Sequence, residues 1–372
     1  MKILMVSKAS VVGAYQRKLE EIAAHPEVEL TVAVPAAWRD ERGRLPLERA
    51  HTRGYQLVVE PIALNGSFHL HFYPRLARRI RTLQPDIVHL DEEPYNLATW
   101  LGLRQAQREG AKALFFSWQN IARQYPWPFG RIEAEVLRRA DFAICGNAAA
   151  VAVWRAKGYR GDTAIIPQFG VDPDLYPWRE PQPDPENRFV VGFVGRLVRD
   201  KGVDLLLEAF AALPETARLE IIGSGPEQRA LRRQVAKLGL AARARFVPWL
   251  PSHQMAARLR EMDVLVLPSR SSATWKEQFG RVLIEAMASG VPVVGSTCGE
   301  IPNVIGDAGV VFPEGDARAL RAALVELYTH FEQRARFALL GRERVMQRFT
   351  QAHIAAQTVQ VYERMLHNAP MV

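Results

Sequence analysis

Apolar and polar positions along this chain follow a coarse rhythm, with short, almost wholly apolar runs separated by longer stretches of helical spacing. Lys2 to Val6, Glu29 to Val34, Asp86 to Leu90, Ala113 to Ser117, Phe142 to Cys145 and Thr163 to Ile166 are rich in β-branched or apolar residues. They lack the strict alternation of a one-sided strand, as strands buried on both faces do. Such strands with helices between them predict a parallel, doubly wound sheet. The rhythm breaks over Asp172 to Asn187, where five prolines fall between Pro173 and Pro185. It restarts with Phe189 to Val194, Arg218 to Ile222, Ala244 to Val247, Asp263 to Leu267, Val291 to Gly295 and Gly309 to Phe312. The expected fold is therefore α/β, with two Rossmann-like parallel-sheet domains facing across a cleft. Residues 1–172 form the first domain, 173–187 a connection and 188–349 the second domain. Residues 350–372 form a broadly apolar helix, N-capped by Thr350, that packs back towards the first domain.

A chain of 372 residues, 48% of them hydrophobic, is long enough for two separate cores. It contains no apolar run near the roughly 18 residues of a membrane-spanning helix, and the run Ile3 to Val6 is cut by Lys8 before a signal-peptide core develops. Cys145 and Cys298 lie far apart, with no Cys or His at metal-ligand spacing. That fits a reducing cytoplasm and no structural zinc. The formal charge of +8 favours an anionic partner: nucleic acid, an acidic membrane surface or a phosphorylated small molecule. Charge alone does not choose among these.

The chemistry concentrates in the second half. Glu277 and Glu285 stand eight residues apart in the run Lys276 to Gly290, with loop-like residues before Phe279 and a helical pattern from Arg281 onward. Ordinary amphipathic helices often carry the same spacing, and its neighbours give it direction. The strand Asp263 to Leu267 ends in Pro268-Ser269, and a polar loop then delivers Glu277, Gln278, Phe279 and Gly280 at a helix start, where backbone N–H groups suit a phosphate. Gly195-Arg196 and Lys201-Gly202 follow the strand Phe189 to Val194, placing two cations at the carboxyl end of a strand. A departing nucleoside diphosphate develops charge that fixed cations and helix starts can stabilise without a divalent metal. At about 4 Å each cation interacts by about 4 kcal/mol at an effective dielectric of ~20. A dinucleotide-dependent oxidoreductase is disfavoured: the first loop, SKASVVGAY, lacks Gly-x-Gly-x-x-Gly, and Gly223-Ser224-Gly225 runs into Pro226 with no third glycine.

These pieces resemble glycosyltransferase family 4. GRLVRDKG at Gly195 to Gly202, GSGPE at Gly223 to Glu227, LPS at Leu267 to Ser269 and EQFGRVLIEAMASGVPVV at Glu277 to Val294 stand in the family's order, and FGVDPDLY at Phe169 to Tyr176 looks like its interdomain loop. The resemblance implies the GT-B fold and a retaining glycosyltransferase, most simply a hexosyltransferase, that uses a nucleoside-diphosphate sugar as donor substrate, with no cofactor and no metal. Asp172-Pro173-Asp174 belongs to that interdomain loop. It is not the Asp-x-Asp metal motif of the other glycosyltransferase fold. By the same resemblance Arg196, Lys201 and Glu277 are the catalytic set, with the two cations clamping the diphosphate and Glu277 beside the donor sugar. Glu285 takes the ribose hydroxyls. Gly195, Gln278, Phe279 and Gly280 complete the donor site, and the nucleobase lies near Pro248, Trp249 and Leu250. The leaving phosphate itself accepts the acceptor's proton.

The first domain departs from the family pattern. Its first loop carries one glycine, Gly13, where a pair is usual, and Ser117-Trp118-Gln119-Asn120 stands where a histidine is expected. Trp118 or Gln119 replaces that sugar contact, or Trp118 is simply packed. Asp91, Glu92 and Glu93 follow a strand. Either one of Glu92 and Glu93 orients an acceptor hydroxyl, or the group caps the next helix. Arg75, Arg78, Arg79 and Arg81 alternate with apolar residues after Phe68, Phe72 and Tyr73, as on a solvated helix face or on an interfacial helix that would bring a cytoplasmic enzyme to a membrane and a lipid-linked acceptor. A polysaccharide precursor is the other acceptor class, and nucleic acid is not an expected partner. The competing readings are a catalytically idle GT-B protein that binds a nucleotide sugar, and a GT-B epimerase or phosphorylase.

Overall fold

The computed structural model describes residues 1–40, 43–186 and 188–367, except the side chains of residues 252 and 253. The last residue of the expected connection, 187, and the end of the expected terminal helix, 368–372, lie outside the described residues. The chain divides into two compact units, Met1–Phe169 together with the chain from Gln351 on, and Gly170–Thr350.

The first unit holds β1 (Lys2–Val6), β2 (Glu29–Pro35), a hairpin of β3 (Ala37–Asp40) and β4 (Gly43–Pro46), then β5 (Gln56–Glu60), β6 (Ile87–Leu90), β7 (Lys112–Ser117), β8 (Phe142–Cys145) and β9 (Asp162–Ile165). All but the hairpin form one parallel sheet in the order β5-β2-β1-β6-β7-β8-β9. Apart from exposed Lys2 at the start of β1, its central strands are buried, which is why they read as apolar runs. β5 is an edge strand, and its half-exposed Leu57 and Val58 explain why its QLVVE pattern did not stand out. The helix Gln351–His367 closes one face of this unit. Its Ile354, Ala355, Val359, Tyr362 and Met365 share a core with Ile3, Leu19, Ile22, Ile87 and Leu114. Tyr362 is fully buried, and its Oη shares a 2.7 Å hydrogen bond with Nδ1 of His89, which burial pulls down to about 3.

The second unit holds β10 (Phe189–Val194), β11 (Ala217–Ile222), β12 (Ala244–Val247), β13 (Val264–Leu267), β14 (Val293–Ser296) and β15 (Gly309–Phe312). They are all parallel, in the order β12-β11-β10-β13-β14-β15. The segment expected as a connection belongs to this unit as far as it is described. Tyr176 is buried, its carbonyl accepts from the Arg342 guanidinium at 3.1 Å, and the Arg179 N–H donates to Ser289 O. Gly290, at φ +79°, lies so close that a Cβ there would meet Arg179 O at 2.4 Å and the Trp178 ring at 3.0 Å.

Candidate active site

In each sheet the strand order reverses between two neighbours, β1 and β6 in the first unit and β10 and β13 in the second. Loops leaving the carboxyl ends of such a pair diverge and leave a crevice, the usual ligand site of open parallel sheets. Apart from Trp249 and Leu250, which follow β12, the predicted donor residues lie beyond the ends of β10 and β13. Gly202 ends the first of these loops at φ +66°, and a Cβ there would stand 2.0 Å from Pro268 O, so only glycine lets the Lys201 turn press on the end of β13. Across this contact the Arg270 N–H donates to Asp200 O at 2.7 Å, and its guanidinium donates to both Asp204 carboxylate oxygens at 2.8 and 3.0 Å. Gly223 and Gly225 brace the same loop from the other side, with Cβ positions 1.9 Å from Gly195 O and 2.3 Å from Leu197 O.

The result is a tight polar group. Lys201 Nζ donates to Glu277 Oε2 at 2.5 Å, Ser269 Oγ donates to the same oxygen at 3.0 Å, and the Trp275 ring centroid lies 5.0 Å from the ammonium. The Glu277 backbone is fixed from behind, since its N–H donates to Cys298 Sγ at 3.5 Å and its carbonyl accepts from the Glu300 N–H at 3.1 Å. Gly280, at φ +79°, then turns the chain into the helix Arg281–Ala288, whose first N–H groups have no carbonyl within the helix to bind. One turn on, Glu285 is buried and pairs with Arg281, Nε to Oε1 at 2.8 Å.

Lys201, Glu277, Glu285, Gly195, Gly280 and Arg281 line one pocket of about 620 Å³, closed on its apolar side by Tyr176, Val194, Trp249, Leu250 and Met255. Arg196 and Gln278, both expected at the donor, are exposed and are not among the lining residues. The Phe279 ring packs edge-on against Phe349 at 5.7 Å, whereas the phosphate contact expected there is with backbone amides. Ser269, Trp275 and Arg281 carried no role in the sequence reading. Only Arg281 left a signal there, standing four residues before Glu285 on one helical face.

At the matching reversal in the first unit the polar side chains are mostly turned on one another. Asp91 accepts from Ser7 Oγ at 2.6 Å and from Gln168 Nε2 at 2.9 Å. Glu92 pairs with Lys8 and lies 3.5 Å from His71 Nε2, and Glu93 accepts from Ser117 Oγ at 2.6 Å and the Trp118 N–H at 2.8 Å. Their carboxylates are thus held inside the unit, and the helix Leu97–Arg108 has no side-chain cap. Trp118 is packed: a Cβ on Gly146 would strike its ring at 2.0 Å, and its Nε1 donates to Gln168 Oε1. Gln119 Oε1 accepts from Tyr125 Oη at 2.9 Å, while its buried Nε2 has no hydrogen-bond partner among the described residues. The Gly13 N–H is taken by Glu48 Oε2 at 2.5 Å.

Burial pushes the Glu93 carboxyl up to about 7 against the opposing pull of Ser117 and the Trp118 N–H. The folded chain therefore holds a proton that the unfolded chain releases between about 4.5 and 7. Stability of the first unit should fall as pH rises through that window, by on the order of 3 kcal/mol. Thermal unfolding of Glu93→Gln at pH 5 and pH 8 checks this, since the variant should lose most of the difference between the two.

The helix Leu76–Leu83 buries Leu76 and Ile80. Arg79 is half-buried and bound to Glu60 at 2.7 Å, while Arg75, Arg78 and Arg81 are exposed, the last lying 3.5 Å from Glu109. Among the described residues no helix is long and apolar enough to cross a membrane, and no group of three or more His, Cys, Asp or Glu side chains is arranged to hold a metal ion.

Residues 20–175 match the family described as Glycosyltransferase Family 4, and residues 177–344 that described as Glycosyl transferases group 1. The chain is 32% identical over 328 residues to a phosphatidyl-myo-inositol mannosyltransferase of Mycobacterium leprae, covering 82% of this chain and 81% of that one. It is 28% identical to a GDP-mannose-dependent alpha-(1-6)-phosphatidylinositol monomannoside mannosyltransferase of Mycolicibacterium smegmatis, with 79% and 80% covered. Among solved structures it resembles sucrose-phosphate synthase from Thermosynechococcus elongatus, with a TM-score of 0.73, 22% identity, and 99% and 100% of the two chains covered. It also resembles Anabaena HepE in complex with UDP, with a TM-score of 0.74, 20% identity, and 98% and 100% covered. With its two parallel-sheet units and a relative of that identity over most of both chains, the protein belongs to glycosyltransferase family 4 and is a glycosyltransferase of the GT-B fold.

Proposed function

We propose that the protein transfers a hexosyl group from a nucleoside-diphosphate sugar to a hydroxyl of a lipid-linked or polysaccharide precursor, with retention of anomeric configuration and without a divalent metal. The observation that carries this reading is one pocket of the second unit, where Lys201, the helix start after Gly280 and the acids Glu277 and Glu285 converge. A cation and a helix N-terminus suit the diphosphate, and two carboxylates suit hydroxyls. The apolar wall of Trp249, Leu250 and Met255 suits a base. The acceptor oxygen attacks the anomeric carbon as its bond to the diphosphate oxygen breaks, and the acceptor's proton passes to that departing oxygen. Fixed positive charge then stabilises the leaving group as charge builds on it.

The acceptor class is supported by the two mannosyltransferases named above, whose names specify phosphatidylinositol compounds, and by exposed Arg75 and Arg78 following exposed Leu64, Phe68 and Leu70. That combination of cations and apolar side chains suits an acidic membrane surface. In the first unit, Gln119 is the side chain we assign to a sugar or acceptor hydroxyl, because its buried Nε2 is still available to donate.

Calorimetry tests the donor site. Glu285→Ala should weaken nucleoside-diphosphate binding by roughly tenfold or more, since hydrogen bonds to a charged group are the stronger kind. Its thermal unfolding should change little. Unchanged affinity would remove Glu285 from the ribose, and incubating wild type with a panel of nucleotide sugars and lipid acceptors identifies donor and product.

A further inference from the structure

The charges lining this pocket come as two internal pairs. Lys201 is bound to Glu277 at 2.5 Å and Arg281 to Glu285 at 2.8 Å, so each acid assigned above to a hydroxyl is already engaged by a cation of the same pocket. We propose that Arg281 is a further diphosphate-binding residue, one that leaves Glu285 when the nucleotide enters and so frees that carboxylate for the ribose. This rests on the donor reading of the same pocket.

Three observations carry it. Arg281 is the first residue of its helix, directly after Gly280, and so springs from the helix start that borders the pocket. A cation in the first turn opposes the positive end of the helix dipole. An anion seated there removes that conflict, which the carboxylate of Glu285 relieves in the free protein. The two partners are also unequally anchored, with 33% of the Arg281 side chain exposed against 9% of that of Glu285. The guanidinium can thus swing without opening the core, while the carboxylate stays where it is. Finally, a planar guanidinium binds phosphate oxygens through two parallel hydrogen bonds. Exchanging carboxylate for diphosphate therefore keeps a charge-assisted pair on Arg281 and leaves Glu285 able to accept from two neighbouring hydroxyls.

The experiment is a calorimetric series with uridine and guanosine, their monophosphates and their diphosphates on wild type, Arg281→Gln and Arg281→Lys. We expect the preference for diphosphate over nucleoside to fall about tenfold in Arg281→Gln, with nucleoside affinity unchanged or improved. Arg281→Lys, which keeps the charge but loses the fork, should fall between. An equal loss for nucleoside and diphosphate would overturn the proposal, because Arg281 would then serve only to hold Glu285. A retained preference in both variants overturns it too, and leaves the donor reading standing. Wild type that binds neither diphosphate better than its nucleoside would sink the donor reading and this inference with it.

Discussion

Lys201→Ala is expected to lower turnover by about a hundredfold while leaving the fold intact. The ammonium sits on a turn that the contact of Gly202 with Pro268 holds in place, with 17% of its side chain exposed, so its position is set before any ligand arrives. A fixed charge of that kind stabilises a leaving diphosphate most when the glycosidic bond is nearly broken. The loss should therefore fall on kcat and kcat/KM alike, and KM for the donor should move little. Lys201→Arg restores the charge at a different reach and should recover part of the rate. Steady-state kinetics with thermal unfolding as a fold control make the measurement. Wild-type turnover in Lys201→Ala would take the ammonium out of the chemistry.

The second large effect is on stability. Tyr362→Ala should cost the first unit about 3–5 kcal/mol, the range for removing a fully buried aromatic side chain. The phenol fills the core between the helix Gln351–His367 and the sheet, and it is the hydrogen-bond partner of buried His89, so the truncation leaves both a hole and a lone imidazole. Tyr362→Phe separates the two: it keeps the ring and should cost only about 1 kcal/mol. Denaturant unfolding followed by circular dichroism reads both variants. If the alanine variant unfolds within 1 kcal/mol of wild type, the terminal helix does not hold this unit together.

Several strands and the donor loops were legible because their physics is local. Val264 to Leu267 reads as a doubly buried strand without reference to any neighbour, and Glu277 and Glu285 are marked by the strand end, polar loop and helix start that follow one another around them in the chain. What stayed hidden depends on contacts between distant segments. Nothing within Asp172 to Glu186 signals that Tyr176 and Arg179 are gripped by Arg342 and Ser289, and Arg196 and Lys201 look equivalent until one lines the pocket and the other faces solvent. The same holds in the first unit, where Asp91, Glu92 and Glu93 read as available carboxylates and proved to be spoken for by Ser7, Lys8 and Ser117.

The helix that completes the first unit is the last part of that unit to be made. While a ribosome synthesises Gly170–Thr350, at about 5–20 residues per second, Leu19, Ile22 and Ile87 wait roughly 10–35 s without their partners Ile354, Val359 and Tyr362. The nascent first unit thus presents a sticky face until Gln351–His367 has emerged, which makes it a client for chaperones during translation and ties its final folding to synthesis of the whole second unit.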